Sequence, residues 1–535
     1  MEDKVEAAPE TPTLPRALVH PRLEMIKSGD EQRAKSNSLT SVDFETAISK
    51  SGCGKFNLAM LILAIPAAWT SGFVSGSMSY VIPAAAADLD LTPTGKASLQ
   101  SACYAGMISS GFIWGFLSDK LGRKKLLVIG FLLDFVMNFL TGIVPSLPFM
   151  LVFKYLSGFM VAGPFSIFTA YISEVFLSKR RDVAVLSAGI FSSIGNIAQA
   201  ALAMWIIPSE VPFQLPLKSW QLYHISCGIP SLICGIGCMF CVESPKFLID
   251  HGDHQKALEV CRTIYTINTG NSPTTYPVKR LHHQISKNEA KKSFRESMNE
   301  TVAIFRPPFV KRALLGFIIQ FIVVAAANTL RLWLPEMLML VNSSELDTEQ
   351  GLCTLLVEGN RASTGSTSAQ RESQTQVYTE MMFVNLGSMF GHIVFILLVS
   401  YLGKKILLIA CSILSGVFAI IIPLVNSAYV FLPASAFIAT NNVAFYSNIG
   451  IVVAVFPTRV RATMVGTTML LGRSGILLVN FLIANLIYSF CDYFFYSLAV
   501  MSIGLTILGF FLSMEPIDEG TPKFKKQKSS NSLNA

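Results

Sequence analysis

Three basic side chains lie inside long apolar segments of this 535-residue chain: Lys154, Arg331 and Arg473. A charge at the centre of a bilayer costs about 3 kcal/mol or more, so such residues pair with another group or serve a ligand. Amide and aromatic residues share these segments, namely Trp69, Asn196, Gln199, Asn328, Asn442 and Tyr446. These residue types recognise polar solutes, so we predict that they line a substrate cavity with Arg331 and Arg473. In the alternative, which stays open, they only hydrogen-bond helices together.

The charged residues in these segments each have a second interpretation. Arg331 precedes Glu336, and it either pairs with that carboxylate near one membrane surface or contacts a solute. Arg473 has small neighbours that leave room for another helix or for a ligand. We interpret Asp134 as structural, with Lys154 as a candidate partner. His392 is a candidate proton relay or a satisfied core histidine.

A second group of residues follows an apolar segment in the pattern G-x-x-x-D-x-x-G-R-K-K: Gly115, Asp119, Gly122, Arg123 and Lys124. Glycine lets a neighbouring helix approach closely, and Asp119 can meet the positive end of such a helix or pair with Arg123. We predict a conformational latch that closes one face of the membrane while the other face is open. The alternative is a basic loop that only sets topology.

The same pattern returns in a weaker form. Gly106 and Gly122 recur 281 residues later as Gly387 and Gly403, but Ser400 replaces the aspartate. A second loop pair completes the predicted latch with the residues Glu174, Arg180, Arg181, Arg459 and Arg461. Its later copy keeps the bases and loses the acid, so we expect the second latch to be weaker or absent.

The elements that position these residues are apolar enough to be membrane spans. Charged residues make up 14% of the chain, against about 25% in soluble proteins. We predict an all-α membrane protein with twelve transmembrane helices in two pseudo-symmetric six-helix halves. The predicted spans are 57–82, 97–118, 126–144, 148–170, 183–207, 221–242, 313–336, 379–401, 406–425, 428–453, 463–488 and 489–513.

Charge sets the predicted orientation. Of the 42 Lys and Arg residues, 35 fall on segments that we place in the cytosol and four fall on outer loops. The first 20 residues lack the apolar core of a signal peptide, so we expect both termini in the cytosol. The positive net charge is therefore topological and attracts membrane lipid, and we expect no nucleic-acid partner. The membrane is that of the cell surface or of an intracellular vesicle.

The same analysis divides the chain into domains. We predict a cytosolic tail (1–55) that ends in a short helix at the membrane interface, a first half (56–242), a cytosolic helical linker (243–312), a second half (313–513) and a basic tail (514–535). The second half includes an outer loop (337–378) with a glycosylation sequon at Asn342. Cys353 in that loop has no obvious partner, and the ten cysteines form no disulfide framework.

The loop from Gly115 to Lys125 resembles the signature loop of the major facilitator superfamily. The stretches 44–48, 205–208, 243–268 and 332–336 are similar to the synaptic vesicle glycoprotein 2 family and its organic-ion-transporting relatives. The resemblance implies the superfamily's fold and a cavity between its halves. That family's first span carries an acidic pair, whose positions here hold Ser71 and Val74, so proton coupling is in doubt. Without those acids, we expect an anionic or neutral organic solute.

Two functional hypotheses follow. In the first, the chain is a secondary-active or facilitative transporter of a small organic solute that works by alternating access. In the second, it is a non-transporting vesicle-membrane scaffold or trafficking protein whose tails bind cytosolic partners. No catalytic constellation, metal site or phosphate-binding loop is present in the sequence, so we expect neither an enzyme nor a cofactor.

Overall fold

The computed structural model describes residues 41–209, 216–281, 302, 304–342, 352–359, 367–487, 490–515 and 517. Within these ranges the chain is almost entirely helical. The first part contains α1 (Phe44–Lys50), α2 (Lys55–Ala85), α3 (Pro93–Leu121), α4 (Arg123–Ile143), α5 (Leu147–Val175), α6 (Ser178–Ile206), α7 (Ser219–Ser226), α8 (Ile229–Met239), α9 (Pro245–Asp250) and α10 (His254–Thr269). The second part contains α11 (Val310–Asn342), α12 (Leu352–Gly359), α13 (Thr367–Leu402), α14 (Lys404–Ile421), α15 (Phe431–Val455), α16 (Thr458–Leu486) and α17 (Cys491–Phe511).

Eleven helical segments in the described residues are long and apolar enough to cross a membrane. The predicted span 97–118 is not among them and lies in α3, a helix of 29 residues. Its length suffices, since about 20 residues cross a bilayer, but Gln100 and several serines lower its apolar character. The count of twelve spans therefore remains a prediction. The predicted span 221–242 is divided into α7 and α8, because Pro230 has no N–H to continue the helix across Cys227 and Gly228.

The internal repeat is visible in backbone geometry. Gly122 and Gly403 precede α4 and α14 with φ angles of 93° and 76°, a region that favours glycine. Gly106 and Gly387 also correspond, because each allows a close approach between helices: α3 meets α5 at the first position, and α13 meets α15 at the second. The same turn and the same packing contact thus occur once in each half.

Packing of the apolar core differs between the two ends of the molecule. One cluster joins residues of both halves, such as Met78, Tyr223, Leu334, Phe437 and Ile483. At the end that carries the 122–125 loop, here called the basic end, each half instead has its own cluster. The first contains Phe131 and Phe168, and the second contains Phe317 and Val452. The halves are therefore packed together at the opposite end and separated at the basic end.

A small subdomain covers the first half at the basic end. Strand β1 (Ser41–Val42) pairs in parallel with β2 (Arg280–Leu281), and α1 packs against α10. The predicted helix near residues 43–48 is confirmed as α1, and its apolar face packs on protein, while its place at the membrane interface stays a prediction. Ala47 and Ile48 are buried against Leu258 and Cys261, because α10 offers a protein surface for that apolar face. This burial raises the pKa of the Cys261 thiol to about 12.

The predicted outer loop 337–378 contains more helix than expected. Helix α11 continues to Asn342, α12 fills Leu352–Gly359, and α13 begins at Thr367. The expectation that Cys353 lacks a partner is wrong, since it forms a disulfide with Cys491 at the start of α17. Asn342 is the last residue of α11, and the two serines of its sequon lie outside the described residues, so glycosylation remains a prediction.

We predict that Cys353→Ser lowers the thermal unfolding midpoint measured in detergent. The disulfide joins residues 138 positions apart, and a cross-link of that span contributes on the order of 4 kcal/mol by restricting the unfolded chain. Cys53→Ser is the matched control, because Cys53 is a free and exposed cysteine. Equal midpoints for the two variants, or no linked Cys353–Cys491 peptide under non-reducing mass spectrometry, would contradict the assignment.

Candidate functional site

The opposite end is sealed by polar contacts between the halves. Lys96 at the start of α3 forms an ion pair with Glu336 on α11, and their side chains are only 13% and 6% exposed. Gln100 donates to the Leu332 carbonyl at 3.1 Å. The suggested pairing of Arg331 with Glu336 is therefore wrong, because Glu336 faces the first half and meets Lys96 there. Losing one partner alone would leave the other charge buried and unpaired at a cost of about 3 kcal/mol or more, so this pair specifies how the two halves meet at this end.

Two further contacts reinforce this seal. Asn480 on α16 donates to the Ala97 carbonyl at 3.1 Å and to Ser101 Oγ at 2.9 Å. Across the other side of the interface, Tyr378 on α13 donates to the Tyr80 carbonyl at 3.2 Å. Because these groups are buried, each lost contact would leave an unpaired polar atom out of reach of water.

The basic end shows the reverse arrangement. A methyl group added at Gly111 or Gly115 on α3, or at Gly466 on α16, would meet no atom within 4 Å. Asp119 is exposed, and no salt bridge to it is found among the described residues. The predicted pairing of Asp119 with Arg123 is thus absent in this conformation. The residues that would meet the other half stand open instead.

Arg123 takes part in a different network, inside the first half. Its Nη2 lies 2.5 Å from Glu174 Oε1, and Glu174 Oε2 accepts from Ser244 Oγ at 2.6 Å. Glu243 Oε1 accepts from the backbone N–H groups of Arg123 and Lys124 at 2.9 and 3.1 Å. A carboxylate at these unpaired N–H groups stabilises the start of α4. The signature therefore has two parts. Arg123 and Lys124 hold elements of the first half together, whereas Gly115 and Asp119 face the gap.

Gly122 is essential to that internal network for two reasons. Its φ of 93° disfavours other residues. A Cβ atom there would also lie 2.6 Å from Glu243 Oε2.

The remaining predicted latch residues are distributed around the basic end. Arg181 pairs with Glu45 of α1 at 2.7 Å, and Arg180 donates to Cys53 Sγ. The expectation that they accompany Glu174 is therefore not met, because Arg123 occupies that carboxylate. Arg461 donates to the Phe456 carbonyl at 3.3 Å. The side chain of Arg459 lies outside the described residues.

Between the sealed end and the gap lies a small polar cavity of about 20 Å³, lined by residues of both halves. Three predicted cavity residues meet there: Gln199, Asn328 and Arg331. Tyr80 and Tyr104 complete its polar wall. This volume holds about one water molecule. The cavity is thus the closed tip of the space between the halves.

Positive charge dominates this region. Arg331 lines the cavity, and both Arg331 and Arg473 lie within electrostatic range of the Tyr104 hydroxyl. The buried Lys154 donates to Ser77 Oγ at 2.8 Å. Within the described part of the chain, none of the three cations forms a salt bridge.

Asp134 lies within electrostatic range of Lys154 but forms no salt bridge with it, so the candidate pair is not a direct contact. Its carboxylate accepts from Ser157 at 2.6 Å, from Asn138 at 3.0 Å and from Ser231. These three donors satisfy the aspartate inside the packing of α4, α5 and α8.

Trp69, Asn196 and Gln199 share the seam where α2 crosses α6. Trp69 packs on Gly195, and Asn196 Oδ1 approaches Gly72. Gln199 Nε2 donates to the Phe73 carbonyl at 3.0 Å, while its buried Oε1 has no hydrogen-bond partner among the described residues. The seam thus brings one unsatisfied acceptor to the cavity.

Asn442 and Tyr446 lie apart from that cavity. Asn442 on α15 donates to Ser388 Oγ of α13 at 2.7 Å. Tyr446 packs edge-on against His392, whose Nδ1 lies 3.0 Å from Ser193 Oγ of the first half. These residues connect α13 and α15 to the interface rather than to the Arg331 cavity.

The comparison with protein families decides the identity of this architecture. The sequence profile of the Major Facilitator Superfamily matches residues 64–358, more than half of the chain. The chain belongs to the Major Facilitator Superfamily. The predicted family is therefore confirmed.

Similar proteins confirm the predicted relation to the synaptic vesicle glycoprotein 2 branch. It is 30% identical to synaptic vesicle glycoprotein 2C of Mus musculus over 243 residues, which cover 44% of this chain and 33% of that protein. It is 28% identical to synaptic vesicle glycoprotein 2B of Rattus norvegicus over 257 residues, 47% of this chain and 38% of that protein. The matched region spans little more than a third of these relatives.

Solved structures of the superfamily share the fold. A partially occluded inward-open conformation of the xylose transporter XylE from E. coli has a TM-score of 0.61 at 15% identity, covering 85% of this chain and 99% of that chain. The nucleoside transporter NupG has a TM-score of 0.57 at 14% identity, covering 86% and 100%. At these identities the likeness shows the fold alone.

Sequence reasoning missed the groups that seal this superfamily member at one end. Sequence patterns single out neither Lys96 nor Asn480. The available signal was that Lys96 and Glu336 are opposite charges beside predicted spans at the same membrane surface. Their pairing joins positions 240 residues apart, which no local pattern specifies.

We predict that Gly122→Ala destabilises the protein by roughly 2 kcal/mol or more, because it combines backbone strain with a clash. Gly403→Ala is the matched control: its φ is 76°, yet its added methyl group would meet no atom within 4 Å. The thermal unfolding midpoint should fall clearly more for the first variant. Equal shifts of the midpoint in the two variants would show that the clash with Glu243 does not contribute to the destabilisation.

Proposed function

We propose that this protein moves a small organic solute across a membrane by alternating access between its two halves. The observation that carries the proposal is the asymmetry of the interface: sealed by buried polar contacts at one end and open at the other. A polar cavity lies at the boundary between these regions, with residues from both halves. Opening the seal while closing the gap would expose the same cavity to the other side.

The proposed solute is an organic anion, with a neutral solute as the weaker candidate. Arg331 and Arg473 form no salt bridge among the described residues, and an anion bound in the cavity would compensate them. Gln199 Oε1 adds an acceptor that a solute hydroxyl or N–H group would satisfy. The favoured solute therefore carries both an anionic group and a hydrogen-bond donor.

We propose that the basic end faces the cytosol, with both termini on that side. The excess of Lys and Arg there supports this orientation. The Cys353–Cys491 disulfide lies at the opposite end, as expected for an oxidising exterior or vesicle lumen. The protein is then inward-open, and the latch of Gly115 and Asp119 is released. Closing the gap would bring Asp119 to the start of α16, whose positive end would hold it.

The second hypothesis was a scaffold or trafficking protein without transport. The fold and the superfamily favour transport over that alternative. The tails through which a scaffold would act, 1–40 and 518–535, lie outside the described residues.

We predict protein-dependent uptake of small hydroxy- and aminocarboxylates into proteoliposomes that contain the wild-type protein. Arg331→Gln should reduce the initial rate at least about tenfold, because it removes the charged group that lines the cavity. Lys256→Gln is the matched control, since it removes an exposed cation from α10. Neutral nucleosides and quaternary ammonium ions should enter more slowly.

The outcomes separate the parts of this proposal. No protein-dependent flux for any solute class, with a wild-type protein that retains its unfolding transition, would remove the transport function. Faster uptake of cations, or equal rates for Arg331→Gln and Lys256→Gln, would remove only the anion assignment.

A further inference from the structure

A groove separate from the polar cavity lies between α11 and α16, with a volume of about 530 Å³. Its lining is apolar except for one threonine, and includes Phe317, Phe321, Leu470 and Leu471. Phe305, which precedes α11, covers one side with its ring 5.8 Å from that of Phe317. The groove therefore begins where α11 enters the membrane at the basic end.

Helical spacing shows that this groove faces lipid rather than the gap between the halves. Leu471, Leu478 and Leu482 are seven and four residues apart, so they share one face of α16. Leu478 and Leu482 are 55% and 61% exposed, as expected for side chains that contact acyl chains. Gly466 and Arg473 lie on the other side of the helix, toward the first half.

Two exposed basic residues lie close in sequence to lining residues of the groove at its membrane-surface end. Lys311, Leu314 and Ile318 share one face of α11, and the last two line the groove. Lys311 and Arg306 are exposed and form no salt bridge among the described residues. They would lie at the depth of lipid phosphates, where each basic residue favours an anionic surface.

Thr467 is the one polar residue of this lining, and its Oγ1 is buried away from the groove surface. The wall that a ligand would contact is therefore wholly apolar, which suits an acyl chain.

We propose that the groove between α11 and α16 binds one anionic phospholipid of the leaflet at the basic end. One acyl chain fills the groove, and Lys311 and Arg306 hold the headgroup phosphate. The bound lipid packs against α16, one of the helices that must move when the gap closes. The site is distinct from the solute cavity and does not depend on the proposed transport.

Native mass spectrometry of the full-length protein in detergent, with added phosphatidylserine or phosphatidylcholine, tests this site. The wild-type protein should retain one phosphatidylserine in preference to phosphatidylcholine. The double variant Arg306→Gln, Lys311→Gln should lose that preference by about tenfold or more, because two headgroup contacts are removed. Leu314→Trp should displace both lipids by filling the groove.

Leu414→Trp is the control for the groove variant, since Leu414 is 47% exposed on α14 and Leu314 is 45% exposed. It should bind lipid as the wild type does. Equal retention of the two lipids by the wild type would overturn the headgroup assignment. Unchanged lipid retention by Leu314→Trp would overturn the groove as the site. The thermal unfolding midpoint of Leu314→Trp should equal that of Leu414→Trp, which checks that the groove variant is folded.

Discussion

The contact between Lys96 and Glu336 is the constraint on which the arrangement of the two halves depends. It joins the halves at one end, where the neighbouring side chains of Gln100 and Asn480 are buried and also bond across the interface. These groups need either each other or water, so the halves cannot separate at this end without water entering between them.

The residues of the superfamily signature have two separate structural roles in the first half. Glu243, Glu174 and Arg123 fasten α4, α5 and the segment after α8 into one body, so that the first half can move without internal rearrangement. Gly115 and Asp119 take no part in this network and face the gap. A rigid half with one exposed carboxylate is what a latch between two states requires.

Sequence patterns predicted the helices, the repeat and the family well, because apolar length and glycine positions are local properties. They also selected Gln199, Asn328 and Arg331, which line one cavity, because polar residues inside membrane spans are costly and mark functional sites. They failed where a partner had to be chosen. Arg123 met Glu174 rather than Asp119, and Glu336 met Lys96 rather than Arg331, because those choices depend on how helices distant in sequence pack.

The central claim is that the two ends open and close reciprocally. Spin labels at Lys120 and Tyr401 would report the basic end, and labels at Ala87 and Tyr429 the opposite end, in a Cys53→Ser background. Glu336→Gln removes the charge that Lys96 pairs with and weakens the seal. Double electron–electron resonance in nanodiscs should therefore show a longer distance between the labels at the opposite end and a shorter distance between those at the basic end. A change in one distance without the other would contradict the account.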